Sequence, residues 1–234
     1  MKHVSVMTTE VLEVLNPKEG EWYLDATLGA GGHTAALLEK GARVLAFDQD
    51  SEAIEHAQTR FATQVQARSL VLQHENFSKI ENTVGSLQKT SDIGTIRGVL
   101  FDFGTSTEQL MSSERGFSFE GDGPLDMRMD TKLGVQAKDI LAVVPEKQLA
   151  ELFATLGGEQ YAKKIARAIK KNEDPITTTA QLSGLVARVK PKKGKLHPAT
   201  KVFQALRIAV NSELEHISAA LPQAWGVLEP GGTL

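Results

Sequence analysis

The fold is decided by one stretch, EWYLDATLGAGGH, at residues 21–33. It opens with the bulky, apolar-rich run of a buried strand, continues into a glycine turn, and is followed by helical spacing over 34–39. Glycines between a strand and a helix let a ligand approach the bare backbone at the helix N-terminus. The turn therefore indicates a nucleotide-like ligand, with a plain strand-to-helix connection as the equal alternative.

Strand-type and helix-type runs alternate through the first part of the chain. Further strands are expected at 43–47, 70–73 and 96–101, with helical segments between them. Ser51 follows the second strand as the expected N-cap of a helix over 52–61. This alternation predicts βαβ units, and therefore an α/β fold with a parallel sheet.

Carboxylates lie near the carboxyl ends of three expected strands, at Asp25, Asp48 and Asp102. Ligands of open α/β sheets bind at this edge, although an Asp after a strand often only forms a turn or caps a helix. Asp48 comes nineteen residues after Gly29, the position from which a carboxylate accepts the hydroxyl protons of an adenosyl ribose. A dinucleotide pattern would need glycine where this chain has Thr34. The residues therefore favour S-adenosylmethionine, which has no phosphate.

Beyond residue 104 the alternation gives way to helical spacing, and no strand is evident before about residue 199. This change predicts a core that is interrupted by an insertion. The expected domains are the first part of the core, an all-helical substrate-recognition insertion and an incomplete return to the core, at 1–104, 105–199 and 200–234.

The last helical pattern is expected to form one long helix from about residue 199 to residue 221. Its apolar positions recur at the spacing of a core-facing stripe. This stripe consists of Phe203, Leu206, Val210, Leu214 and Ile217.

Charge is distributed unevenly along the chain. The formal net charge is −3, but residues 160–210 contain twelve Lys and Arg against two acids, a local net charge of +10. A positive stretch of this kind favours a polyanionic partner such as RNA, with a merely solvated face as the alternative. The candidate phosphate contacts are Lys163, Arg167, Lys170 and Lys171, then Lys192, Lys193 and Lys195, and a stripe of Lys201, Gln204, Arg207 and Asn211.

Several classes of protein are excluded or disfavoured. The chain has no cysteine, which excludes disulfides, thiolate metal sites and cysteine nucleophiles. Its six histidines lack zinc spacing, and Asp122, Asp126 and Asp130 lack the alternate-residue spacing of a calcium loop, so no metal site is expected. The run around these carboxylates is expected to be structural or to face RNA. Without a long apolar run or a signal peptide, a cytoplasmic protein with no membrane partner is expected.

Five runs carry a resemblance to a known family. They are GGH at 31–33, FDFGTSTEQL at 101–110, RGFSF at 115–119, DGPLDMRMD at 122–130 and HPATKVFQALR at 197–207. They resemble the runs of the MraW/RsmH-like family, which methylates N4 of a cytidine in small-subunit ribosomal RNA with S-adenosylmethionine. The resemblance covers nearly the whole chain, and the DGPLDMRMD run is very specific.

The resemblance implies a Rossmann-type methyltransferase core interrupted by a helical domain. It implies S-adenosylmethionine as the cofactor and small-subunit ribosomal RNA or the small ribosomal subunit as the partner, with a homodimer left open. The second hypothesis is a non-catalytic RNA-binding or ribosome-assembly factor with this fold, and the third is a nucleotide-dependent dehydrogenase. The cofactor residues that the resemblance implies are Gly31, Gly32, His33, Asp48, Phe77, Asp102 and Gln109.

Methyl transfer to a cytidine amino group requires mainly in-line positioning, because the sulfonium is already an activated leaving group. The N4 nitrogen shares its lone pair with the ring, so a group that accepts a hydrogen bond from the amine assists the reaction. Asp102 is the candidate acceptor, with anchoring of the cofactor as its alternative role. The run from Asp102 to Thr105 lacks both prolines of the D/N-P-P-Y/F run of DNA amino-methyltransferases, which favours RNA.

Two departures from the family pattern stand out. Family members continue past Pro-Gly-Gly, here at 230–232, with further strands, so we expect the fourth strand to lie at a bare sheet edge. A chain with such an edge is expected to self-associate or to be poorly active. The second departure follows the fourth strand, where the family usually has Asp-Leu-Gly-Val-Ser-Ser-Pro-Gln. This chain keeps Asp102 and Gln109 there but has Phe103, Thr105, Thr107 and Glu108.

Overall fold

The computed structural model describes residues 5–90, 92–119, 121–132, 134–192 and 195–234. Its helices are α1 (Thr8–Leu15), α2 (Gly32–Glu39), α3 (Ser51–Arg60), α4 (Ala62–Gln66), α5 (Ile80–Lys89), α6 (Thr107–Met111), α7 (Ala137–Val143), α8 (Glu146–Gly157), α9 (Ala162–Lys170), α10 (Thr179–Val189), α11 (Thr200–Val210) and α12 (Glu213–Val227). Its strands are β1 (Trp22–Asp25), β2 (Arg43–Asp48), β3 (Leu70–His74), β4 (Ile96–Leu100) and β5 (Leu228–Thr233). None of the described helices combines the length and the apolar composition needed to cross a membrane.

The five strands form one parallel sheet in the order β3-β2-β1-β4-β5. Helices cover both of its faces. Leu24 of β1 belongs to an apolar cluster that includes Ala220 of α12, whereas its neighbour Tyr23 belongs to a second cluster that includes Leu37 of α2. Because β1 is buried on both faces, it has the continuous apolar character of a central parallel strand. The expected Rossmann-type α/β core is confirmed.

The register of the sheet aligns the carboxyl ends of three strands. Asp25 at the end of β1 is paired with Ala46 of β2 and with Leu100 of β4. Asp48 lies two residues beyond Ala46, and Asp102 lies two residues beyond Leu100. The three carboxylates expected at one sheet edge are therefore brought to that edge.

The chain divides into two compact units. The first comprises Met1–Ser106 and Leu214–Leu234, and the second is Thr107–Glu213. The return to the first unit therefore comes at Leu214 and not at residue 200 as expected, because α11 packs against α8 within the second unit. A Cβ atom on Gly157 of α8 would lie only 2.3 Å from the carbonyl oxygen of Lys201 in α11.

The long helix expected from residue 199 to residue 221 is two helices, α11 and α12. Ser212 lies between them with a φ of 46°, a left-handed conformation that ends the first helix. The expected apolar stripe is correct for α11, in which Phe203, Leu206 and Val210 are buried. It does not continue, because Leu214 follows the break and is 49% exposed.

The start of α3 also differs from expectation, since its N-cap is Asp50 and not Ser51. The Asp50 carboxylate accepts the backbone N–H of Glu52 at 3.1 Å, and Ser51 is the first helical residue. A carboxylate at this position satisfies an unpaired donor and complements the positive end of the helix dipole.

The fourth strand does not lie at the edge of the sheet. β5 pairs with β4 in parallel, with Ile96 opposite Leu228 and Gly98 opposite Thr233. An ion pair between Arg97 and Glu229 joins the same two strands. The expectation of a bare edge along β4 was therefore wrong, because the residues after α12 extend directly into a fifth strand.

The run at 122–130 is part of the core of the second unit. Leu125, Met127 and Met129 are buried, and the carboxylate of Asp126 pairs with the Arg128 guanidinium at 2.7 Å. The alternation of buried apolar and ion-paired polar residues therefore makes this run structural in the described residues.

Candidate cofactor site

The glycine turn after β1 is tied together by Asp25. This carboxylate is buried and accepts the Thr34 hydroxyl at 2.7 Å and the Thr27 backbone N–H at 3.1 Å. Burial raises the pKa of Asp25, and the two hydrogen bonds oppose that rise. Because each of its oxygens accepts a hydrogen bond from a residue in or next to the turn, Asp25 fixes the position of the turn and of the start of α2.

Gly31 and Gly32 are required by close packing at the start of α2. Gly31 is the N-cap, with a φ of 75°, and a Cβ atom there would lie 2.8 Å from the ring of Phe61. A Cβ atom on Gly32 would lie 1.9 Å from the hydroxyl oxygen of Ser5. A side chain at either position would require Phe61, Ser5 or the turn itself to shift, so the absence of side chains here is a consequence of tertiary packing.

Asp48 connects the end of β2 to this turn. One carboxylate oxygen accepts the Gly29 backbone N–H at 2.8 Å, and the other accepts the Asp50 backbone N–H at 2.9 Å. Each ionised carboxylate oxygen has two acceptor positions, so Asp48 retains acceptor capacity on both oxygens. Residues Gly29 and Asp48, nineteen positions apart in the sequence, are therefore in direct hydrogen-bond contact.

The affinity for S-adenosylmethionine is expected to fall as the pH falls through about 6. Burial raises the pKa of Asp48 from 3.8 to about 6, and only the ionised form is a strong acceptor for ribose hydroxyls. The raised pKa also means that the contribution of Asp48 to the free energy of unfolding decreases as the pH rises from about 4 to 6, because the folded chain binds the extra proton. Calorimetric titrations between pH 5 and 7.5 measure the affinity.

The matched variant is Asp48→Ala, which removes the titrating group. It is expected to weaken binding at pH 7.5 by roughly 1–3 kcal/mol and to abolish the pH dependence. Equal affinity for wild type and variant would contradict a role in ribose binding and leave Asp48 as a turn residue.

His33 and Asp102 face each other across the turn. The Nε2 atom of His33 lies 3.7 Å from a carboxylate oxygen of Asp102, and the Asp102 backbone N–H donates to the Thr27 hydroxyl at 2.7 Å. The His33 side chain is 7% exposed and that of Asp102 is 52% exposed. Within the described residues, Nδ1 of His33 is buried without a hydrogen-bond partner. The pair therefore presents a held, accessible carboxylate at the sheet edge.

Phe77 lies in a group of three phenylalanines. Its ring meets Phe101 edge-on at 5.9 Å between centroids and Phe103 at 5.7 Å, while Phe101 and Phe103 are stacked at 5.1 Å. Phe103 was noted from the sequence only as a departure from a family pattern. Phe101 and Phe103 are two residues apart at the end of a strand, and this spacing could have indicated that both rings lie on one face.

Six of the seven expected cofactor residues lie in the first unit: Gly31, Gly32, His33, Asp48, Phe77 and Asp102. The turn, the end of β2 and the end of β4 position five of them at one sheet edge, and Phe77 follows β3. Gln109 lies in α6, which belongs to the second unit. Its place in the site stays a prediction.

A family model described as the MraW methylase family matches residues 1–234. The chain belongs to the MraW methylase family. The resemblance drawn from its five runs is thereby confirmed.

Curated relatives of this MraW-family chain are named ribosomal RNA small subunit methyltransferase H. The chain is 47% identical to the protein from Beijerinckia indica, with 100% of the chain and 65% of the relative covered. It is 42% identical to the protein from Syntrophotalea carbinolica, with 100% of the chain and 75% of the relative covered. The chain thus spans about two thirds to three quarters of the length of these MraW-family relatives.

Among solved structures, the C-terminal domain of precorrin-6Y C5,15-methyltransferase from Rhodobacter capsulatus is similar, with a TM-score of 0.34 and 17% identity. It covers 46% of this chain and 55% of that chain.

Proposed function

We propose that this MraW-family protein transfers a methyl group from S-adenosylmethionine to N4 of a cytidine in small-subunit ribosomal RNA. The observation that carries the proposal is the acidic sheet edge, at which Asp48 holds the glycine turn and Asp102 faces His33. The family match and the names of the relatives support methyl transfer as the reaction at this edge.

The residues present fit the proposed cofactor. Asp48 has acceptor capacity for ribose hydroxyls. Gly29 and Gly32 of the turn are partly exposed, which leaves backbone for the amino acid part. The ring of Phe77 offers an apolar surface for adenine. S-adenosylmethionine supplies an activated methyl group when it is bound, and the exposed Asp102 carboxylate is a fitting neighbour for its positive charge.

Asp102 is also the residue that we assign to the departing proton. The cytidine amine must lose a proton as the new N–C bond forms, and a carboxylate that already accepts its hydrogen bond stabilises the charge that develops. His33, whose Nε2 atom lies 3.7 Å from this carboxylate, helps to fix its orientation. The base must be held outside its helix to reach such an edge.

The RNA-facing surface is proposed to lie on α9 of the second unit. Ile165 and Ile169 are buried on one side of this helix. Lys163 and Lys164 are exposed on the helix, and Lys171 is exposed at its C-cap. A row of exposed lysines on a rigid helix is suited to a phosphate backbone. The loop lysines Lys192 and Lys195 are also exposed, and Lys193 lies outside the described residues.

Several of the cations expected to contact phosphate instead form hydrogen bonds or ion pairs within the protein. Lys170 donates to the Leu141 and Ala142 carbonyls, and Arg167 pairs with Glu146 at 3.3 Å. The stripe on α11 was wrong as a continuous phosphate track, because Asn211 is buried. In the same stripe, Arg207 is paired with Glu213.

Replacing Lys163, Lys164 and Lys171 together by Gln is expected to weaken RNA binding and to flatten its salt dependence. Each lost phosphate contact lowers the slope of log affinity against log salt by roughly 0.7–0.9. Fluorescence anisotropy with a labelled small-subunit RNA fragment at several salt concentrations measures this slope.

The control for charge alone is a triple Gln variant of Lys40, Lys79 and Lys89, which are exposed on the first unit. It is expected to retain the wild-type slope. If both triple variants lower the slope equally, α9 is not a specific RNA surface.

The reaction itself is tested with small ribosomal subunits from a strain that lacks this methylation. Incorporation of tritiated methyl groups, followed by mapping of the modified nucleotide, is expected to identify N4-methylcytidine. Tight RNA binding without incorporation would favour the assembly-factor hypothesis. Binding of NAD in preference to S-adenosylmethionine would favour the dehydrogenase hypothesis.

A cytoplasmic location and a homodimer are further parts of the proposal. A ribosomal RNA substrate supports the first. The exposed apolar side chains of α12, which include Leu221 and Trp225, support the second. Light scattering across a range of protein concentrations distinguishes a dimer from a monomer.

A further inference from the structure

Phe103 is an exposed aromatic ring held in a fixed orientation. It is 43% exposed, although one of its faces is stacked on Phe101 at an interplanar angle of 28° and its side meets Phe77. A single exposed apolar side chain is ordinary on a protein surface. An exposed ring braced by two other rings at the ligand-binding edge of a parallel sheet is a preformed stacking surface.

Hydrogen bonds fix this surface beside the residue assigned to the ribose. Asn76, which precedes Phe77, donates to the side-chain oxygen of Gln49 at 2.6 Å. The backbone N–H of Glu75 donates to the carbonyl oxygen of Asp48 at 3.0 Å. The loop that carries Phe77 is therefore attached to the end of β2, and Phe77 in turn contacts Phe103. A base joined to a ribose on Asp48 would lie next to these rings.

We propose that Phe103 is a further cofactor-binding residue that stacks on the adenine of the methyl donor and forms, with Phe77, an aromatic adenine pocket. The inference rests on the proposed function, because it assumes that the ligand contains adenosine. It goes beyond the proposed function by assigning an adenine contact to Phe103, at a position where the family usually has leucine. A flat ring offers a purine a larger, more polarisable contact than a branched aliphatic side chain does.

The test measures binding of two ligands that share adenosine, S-adenosylhomocysteine and 5′-methylthioadenosine, by calorimetry. Phe103→Ala is expected to weaken both about tenfold, since stacking of a base on an aromatic ring is worth that much or more. Phe103→Leu is expected to weaken both by a smaller factor, and Phe103→Tyr, which keeps the ring, to retain wild-type affinity.

The matched control is Phe119→Leu, which alters another stacked ring, paired with His197 at 4.5 Å in the second unit. It is expected to leave both affinities unchanged. Unchanged melting temperatures of the ligand-free variants show that the fold is intact, as expected for a residue whose ring is so exposed.

Three outcomes overturn the inference. They are wild-type affinity in Phe103→Ala, a loss confined to one of the two ligands, and loss of RNA affinity with adenosyl affinity intact, which would assign the ring to the RNA base. The proposed function can fail separately. In that case the wild-type protein binds S-adenosylhomocysteine and Phe103→Ala weakens this binding, but the wild-type protein methylates no RNA. A wild-type protein that binds neither ligand overturns both.

Discussion

Asp102→Asn is expected to slow methyl transfer by about a hundredfold or more while changing the affinity for S-adenosylmethionine only a few-fold. The substitution preserves size, and the backbone N–H that donates to Thr27 is unaffected. An amide cannot take the proton of the cytidine amine, and a positioned acid or base contributes roughly 10²–10⁴-fold. Single-turnover rates with saturating donor and RNA, together with calorimetric donor binding, separate the two effects.

Asp92→Asn is the matched control, because Asp92 is a surface carboxylate that pairs with Arg68 at the opposite end of β4. It is expected to leave both quantities unchanged. A different result would assign Asp102 to anchoring the cofactor. In that case Asp102→Asn weakens donor binding and slows the reaction at low donor concentration by the same factor, and a saturating donor concentration restores the rate.

Asn211→Ala is expected to destabilise the second unit by about 3 kcal/mol. The Asn211 side chain is buried, accepts the Met129 N–H at 2.7 Å and donates to the Met127 carbonyl at 2.8 Å. Removing it leaves two buried backbone groups without these partners, at a cost of roughly 1–3 kcal/mol for each. Hydrogen exchange of the 122–130 run, measured by mass spectrometry, reports the loss locally.

Gln204→Ala is the control on the same helix, because Gln204 is exposed on α11. Its effect is expected to stay within about 0.5 kcal/mol. Equal exchange rates in the two variants would show that other contacts hold the run, among them the bonds that buried Arg115 donates to the Arg128 and Met129 carbonyls.

Local patterns in the sequence were sufficient to predict the first four strands of the first unit. The alternation of strand and helix runs predicts a parallel sheet because side-chain periodicity is set by the backbone of each element. The same reasoning places Asp25, Asp48 and Asp102 at one edge, since parallel strands end on the same side. The spacing of Asp48 and Gly29 indicated a ribose acceptor only, and the hydrogen bond between these two residues came from the structure.

Other features depended on contacts between distant parts of the chain, and only the tertiary structure decided them. Asn211 fits the polar stripe of an exposed helix face, yet it is buried against a run more than eighty residues earlier in the chain. Phe103 is defined as a stacking surface by Phe77, which lies in the turn that follows another strand, β3. Helical periodicity assigns a residue to a face of its own element, whereas burial depends on what packs against that face. The end of α11, the limits of the second unit and the aromatic surface were therefore fixed by tertiary packing.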